Sequence, residues 1–239
     1  METERLDKVL SNLGIGSRSD VKIAIKQGKV LVNGILTKDP KTKVNLEDSV
    51  QYETEILIRR KFYYFMMNKA PDCITATEDP KEKTVMEYLS FRHQNMNLFP
   101  IGRLDKETEG LLLFTTNGPL AHKYTSPKHL VTKEYYAEIH GVVGKEEIDA
   151  FETGVTLDDG YKTLPAKLEL DSINGDKSFV KVWLREGKYR QIRRMFVSLG
   201  MEVVYLKRVR MGAIELDPNL RVGNYRELTE EEIKQMEAL

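Results

Sequence analysis

Near the start of the chain, apolar residues recur every three or four positions. Leu6, Val9, Leu10 and Leu13 predict a helix over Arg5–Leu13 with one buried face, ended by Gly14 and Gly16. Ser17 followed by Asp20 has the form of an N-terminal cap with its reciprocal acid. It opens a second helix with Val21, Ala24 and Ile25 inward, Lys22 and Lys26 outward, and a stop at Gly28. The period then changes. Val30-Leu31-Val32-Asn33-Gly34-Ile35-Leu36 reads as two short strands about an Asn-Gly turn, a strong hairpin signal. From Lys38 to Glu55 the charge is mixed, with no helical period, and this stretch is assigned to a linker whose end lies between Glu53 and Phe62.

Phe62–Met67 predicts a buried strand that turns at Asn68-Lys69-Ala70-Pro71, and Thr84–Leu89 a short helix. Leu111–Phe114 is four apolar residues in a row, the pattern of a strand buried on both faces. Asn117-Gly118-Pro119 opens a helix with Pro at its first position. Lys133–His140 alternates, with Tyr135, Ala137 and Ile139 on one face. Strands in series follow, punctuated by Asp158-Asp159-Gly160 and Asn174-Gly175, which predicts antiparallel hairpins.

Ile192, Met195, Phe196 and Leu199 then mark a helix closed by Gly200. The same period gathers Arg190, Arg193 and Arg194 on another face, where their charges repel unless anions neutralise them. Thr229 with Glu232 caps a last helix that turns Ile233 and Met236 inward. The pattern is that of an α+β protein with a small N-terminal unit, residues 1–58 including the linker. A larger domain, 59–239, follows on a mostly antiparallel mixed sheet.

Composition adds limits. At 239 residues and 41% hydrophobic, the chain can bury a sizeable core. Its formal net charge of zero does not by itself point to a polyanionic partner. The distribution is more telling, because Arg185–Arg210 carries eight basic residues against only Glu186 and Glu202. A single cysteine, Cys73, excludes an internal disulfide, and the absence of a signal-type or long apolar run predicts a soluble, cytoplasmic protein. The four histidines lack metal-ligand spacing, and there is no phosphate-cradling or dinucleotide glycine motif, so no metal and no cofactor are expected.

The most informative stretch is Gly102-Arg103-Leu104-Asp105-Lys106-Glu107-Thr108-Glu109-Gly110-Leu111-Leu112-Leu113, which sets a carboxylate at the lip of a core strand. By its residues alone, Asp105 could equally cap a turn. The stretch resembles the signature of pseudouridine synthases, in the S4-containing branch that modifies ribosomal RNA. Two further segments share the resemblance: Lys133-Glu134-Tyr135, and Gly187-Lys188-Tyr189-Arg190-Gln191-Ile192-Arg193-Arg194. The N-terminal helix, helix, hairpin pattern is similar to an S4 RNA-binding domain.

The resemblance implies that Asp105 is the catalytic residue, that Tyr135 stacks on the target base, and that Arg193 pairs with Asp105. Relatives often carry His where this chain has Arg190. Arg18, Lys22, Lys26 and Lys29 of the small unit, with Arg103, Lys133, Arg190 and Arg194, are the expected RNA contacts. The implied activity is isomerisation of a uridine in ribosomal RNA, most similar to the small-subunit enzyme and hence uridine 516 of 16S RNA. The implied partner is ribosomal RNA or a pre-ribosomal particle, bound by a monomer with no membrane association. A large-subunit enzyme, or a non-catalytic RNA-binding assembly protein, remains open at this point.

Overall fold

The computed structural model describes residues 3–238, which form two compact units. The first comprises the chain through Tyr63 with residues 86–99 and 115–117, and the second the remainder.

In the first unit a two-residue strand, β1 (Glu4–Arg5), leads into helices α1 (Leu6–Asn12) and α2 (Arg18–Lys26). Ser17 accepts the Asp20 amide while Asp20 accepts the Ser17 amide, so the cap forms as the sequence predicts. Strands β2 (Val30–Val32) and β3 (Ile35–Leu36) follow, with Asn33 at φ 51° and Gly34 at φ 78°, the left-handed pair that a tight hairpin needs. Leu6, Leu10, Ile25, Val30 and Val50 are fully buried together, each worth about 1.5–3 kcal/mol in removal from water.

The expected linker is a correction. Residues 38–55 carry β4 (Lys43–Val44), β5 (Val50–Tyr52) and the start of β6 (Glu55–Leu57). β4 pairs with β1, and β5 joins β2 to β6 in a sheet of order β3-β2-β5-β6. Strands of two or three residues are too short to show a period, and their charged positions face solvent.

The chain continues through β7 (Tyr64–Lys69), a 3-10 turn at Val85–Tyr88, α3 (Phe91–Gln94), β8 (Phe99–Pro100), β9 (Glu109–Thr115) and α4 (Gly118–Thr125). It then runs through β10 (Lys133–His140), α5 (Lys145–Thr153), β11 (Lys167–Asn174), β12 (Lys177–Leu184), α6 (Gln191–Ser198) and β13 (Glu202–Met211). β14 (Ile214–Glu215), β15 (Tyr225–Glu227) and α7 (Glu230–Glu237) close the chain.

The second unit is built on a sheet of order β11-β12-β10-β13-β9-β7-β15. β10 runs antiparallel to both β12 and β13, whereas β13 meets β9 in parallel over Lys207↔Glu109 and Arg208↔Gly110. Helices α5 and α6 cover the face carrying Ala137, Ile139, Val180 and Val182, with the Phe151 and Phe196 rings 5.0 Å apart.

Helix α5 replaces the first of the expected strands. Its start is capped by Glu147, which accepts the Gly144 amide at 2.7 Å, and Phe151 points into the core. Asp158-Asp159-Gly160 makes only a small turn, Leu157 donating to the Tyr161 carbonyl at 2.8 Å, whereas Asn174-Gly175 does join two antiparallel strands.

Candidate active site

All the residues of this site belong to the second unit. The segment 102–108 has no regular structure of its own, so its backbone groups must find partners elsewhere. Leu104 is held through both polar groups of its peptide by one side chain: its N–H donates to Thr75 Oγ1 at 3.1 Å and Thr75 Oγ1 donates to its carbonyl at 2.8 Å. Asp72 donates its amide to the Lys106 carbonyl. Lys69, fully buried at the end of β7, donates Nζ to the carbonyls of Ala70, Lys106 and Thr108 at 2.9, 3.1 and 3.1 Å.

Burial pushes the Lys69 ammonium down from its ordinary range, against the attraction of Cys73, Asp105, Glu107 and Glu109. Gly110 locks the far end of the loop. It has φ 102°, and a Cβ there would sit 2.2 Å from the Arg208 carbonyl, so β9 joins β13 at this point only with glycine. The loop therefore presents Asp105 on a fastened backbone. The Asp105 carboxylate is partly exposed, and it makes no hydrogen bond or ion pair among the described residues.

Tyr135 lies on the α6-covered face of β10, partly buried against the core that contains Ala137 and Ile139, as the alternation predicts. A bulge between Glu134 and Tyr135 sets its register against Arg208. Arg193 projects from α6. Its Nη1 donates to the Val203 carbonyl at 2.7 Å, and its Nε is buried without a partner among the described residues. Burial and then Arg190 push the guanidinium down from its ordinary range, while Glu107 and Asp105 act in the opposite sense. Arg193 and Asp105 thus feel each other's charge. The expected ion pair is not formed within 4.0 Å among the described residues; the contact Arg193 makes is to the backbone of β13.

The three arginines do not make one free basic face. Arg190 precedes α6 in a left-handed conformation, φ 47°, and pairs with Glu107 of the Asp105 loop at 3.0 Å. Arg194 turns the other way, to Asp158 Oδ1 through Nε at 2.6 Å and to Asp159 at 2.7 Å. Arg103 is exposed, and Lys133 is partly buried.

In the first unit Arg18, Lys22 and Lys26 of α2 and Lys29 beyond it are all exposed. Lys29 is nevertheless engaged with Glu53 at 2.8 Å, and Lys22 lies 4.0 Å from the buried Asp7.

Several residues of the site carry no expectation from sequence. Lys69 and Thr75 act by holding backbone carbonyls, a role no motif records. Gln191 is buried, accepting the Lys188 amide at 2.9 Å and donating to Glu186 at 2.8 Å, and so shapes the turn that launches α6. Its place in the Gly-x-Tyr-x-Gln segment was the available signal. No group of three or more His, Cys, Asp or Glu able to hold a metal ion occurs among the described residues. No described helix is long and apolar enough to cross a membrane. A partnerless carboxylate on a rigid loop, with an aromatic ring and a partly buried guanidinium on the same unit, suits nucleophilic chemistry on a planar substrate in a basic setting.

Comparison with known proteins gives the family. The family model for RNA pseudouridylate synthase matches residues 63–198, and that for the S4 domain residues 4–50. An uncharacterised RNA pseudouridine synthase of Bacillus subtilis is 44% identical over 230 residues, 96% of either chain. The ribosomal large subunit pseudouridine synthase B of the same organism is 38% identical, covering 99% of this chain and 96% of its own. The ribosomal small subunit pseudouridine synthase A of Haemophilus influenzae is 36% identical, covering 97% and 99%. A crystal structure of a pseudouridylate synthase superposes with a TM-score of 0.68 at 35% identity, covering 97% of this chain and 99% of that one. On its matched motifs, its fold and these full-length relatives, the chain belongs to the RNA pseudouridylate synthase family, with an S4 domain ahead of the synthase domain.

Proposed function

We propose that this protein isomerises a uridine of ribosomal RNA to pseudouridine with Asp105 as the nucleophilic carboxylate. The observation that carries the reading is the state of Asp105: the loop on either side of it is fastened by Lys69 and Thr75 while its carboxylate has no hydrogen-bond or ion-pair partner among the described residues. A structural aspartate at such a position would be spending its oxygens on the fold. In the reaction the N1–C1′ bond breaks, the uracil turns over, and C1′ bonds to C5. The C5 proton leaves to solvent and N1 takes one up, so no external oxidant or cofactor is consumed. Asp105 acts either by attack at C1′ or by assisting departure of the base. Tyr135 offers the flipped base a stacking surface, offsetting about a few kcal/mol of lost stacking in the RNA. Arg193 supplies positive charge near Asp105 through the field rather than by a direct pair.

Residues 1–58 serve as the RNA-gripping domain and 59–239 as the catalytic domain, with Arg18, Lys22 and Lys26 on phosphates and Arg103 beside the target nucleotide. The similarity to a small-subunit enzyme supports a substrate in small-subunit RNA, and we propose uridine 516 as the target. The similarity to a large-subunit enzyme supports a second reading, in 23S RNA.

The test of the chemistry is Asp105→Asn with unmodified ribosomal RNA followed by nucleoside analysis. Binding should stay within about twofold and pseudouridine should vanish, and its persistence at wild-type yield would refute the assignment. Mapping pseudouridines in both ribosomal RNAs of a deletion strain separates the two substrates.

A further inference from the structure

Two cations near Tyr135 form no ion pair among the described residues. Arg208 is the cross-strand neighbour of Tyr135 and only 2% exposed. Its Nε donates to the Leu111 carbonyl at 2.8 Å, where β9 and β13 part, and its Nη2 is buried with no partner among the described residues. The ammonium of Lys133, two residues before Tyr135 on the same face of β10, makes no hydrogen bond or ion pair among the described residues. The charged groups acting on Lys133 are Arg208 on β13 and Glu186 beyond β12. Burial and then Arg208 push its ammonium down to about 8, with Glu186 opposing.

Glu186 is already committed. Its Oε1 accepts the Leu164 amide and Gln191 Nε2, both at 2.8 Å, and its Oε2 accepts the Tyr161 hydroxyl at 2.7 Å. Glu134, on the other face of the strand, pairs with Arg210 at 3.3 Å. Two neighbouring cations withdrawn from water are costly unless an anion completes them. No described carboxylate pairs with either of them, and Glu186 reaches Lys133 only through its field.

We propose that Lys133, with Arg208 behind it, seats a phosphate of the RNA strand beside the nucleotide whose base lies on Tyr135. This rests on the reading of Tyr135 given above. Residues two apart on a strand are separated by about 7 Å, so a base on Tyr135 brings its own or a neighbouring phosphate within reach of Lys133. Lys133 makes the contact, because it is the partly exposed member of the pair. Arg208 is shielded from solvent and contributes its field. The seat is thus charge-complete only with substrate bound, which favours entry of a phosphodiester over a neutral group.

The experiment measures binding of the full-length protein to an unmodified ribosomal RNA stem–loop by fluorescence anisotropy. Measurements run over about pH 6.5 to 9.5 and about 50 to 200 mM salt. In the wild type, affinity should fall above about pH 8, by up to tenfold per unit, because the bound phosphate requires a charged Lys133. Lys133→Gln should bind about tenfold more weakly, lose that limb, and lower the log–log salt slope by about 0.7–0.9. Lys133→Arg, charged throughout, should keep the affinity and the slope but lose the pH limb. A 13C-detected titration of the Lys133 side chain should move upward on adding the RNA.

An unchanged salt slope and pH limb in Lys133→Gln, a Lys133 titration that RNA does not move, or no measurable RNA binding by the wild type would each overturn the seat. These readouts need no turnover, so an inactive wild type would sink the isomerase reading and leave this test intact.

Discussion

Lys69→Met is the perturbation that most directly tests how the Asp105 loop is held. Methionine has nearly the shape of the lysine stem but no donor, so the carbonyls of Ala70, Lys106 and Thr108 lose contacts of 2.9, 3.1 and 3.1 Å. Each hydrogen bond from a charged donor contributes about 1.5–3 kcal/mol, and the Lys106 carbonyl keeps the Asp72 amide. Removing a fully buried ammonium returns several kcal/mol of desolvation. The expected net destabilisation is about 3 kcal/mol, or a fall in Tm of roughly 6–12 °C for a unit of this size.

The pH dependence follows from the direction of the shift. Burial holds the Lys69 ammonium below its ordinary range, so the unfolded chain binds more protons between the folded value and about 10.4. Wild-type stability should therefore rise with pH through that window, and the Lys69→Met difference should widen correspondingly. Single-turnover rates should fall at least tenfold with RNA affinity unchanged, because a loosened loop misplaces the nucleophile. Urea unfolding at several pH values, with rates at saturating enzyme, measures both. A variant with wild-type stability and wild-type rate would refute the clamp.

Arg193→Lys retains the positive charge but cannot hold Val203 in the same geometry. It should therefore keep more of the single-turnover rate than Arg193→Leu, and equal losses in the two would refute the role of charge. The Arg190–Glu107 pair lies at the surface, so Glu107→Gln should cost no more than about 1 kcal/mol. It should release Arg190 for RNA and tighten binding, and the gain should vanish in an Arg190→Gln background when both are compared by anisotropy in a double-mutant cycle.

What local sequence determines, the chain shows openly. The helix faces of α1 and α2, the Ser17 cap, the Asn33-Gly34 hairpin, the buried run of β9 and the inward side of Tyr135 all follow from periods of 3.6 and 2 and from residues suited to one backbone conformation. The Asp105 motif is equally local, because its acid, its glycines and the strand that follows are contiguous. Helix α5 was also within reach of local signals, since its cap and Phe151 lie within its own turns, but the surrounding turn residues favoured strands.

Tertiary structure alone decided which charges meet. Arg190, Arg193 and Arg194 are indistinguishable in pattern, yet one finds Glu107 from 83 residues away, one the Val203 carbonyl, and one Asp158. The same holds for Lys69, whose Lys106 and Thr108 partners are backbone carbonyls contributed 37 and 39 residues further on. Residue pattern says which face a side chain occupies. Its electrostatic partner depends on where strand register and the parallel meeting of β9 with β13 bring distant backbone, which a local period does not encode.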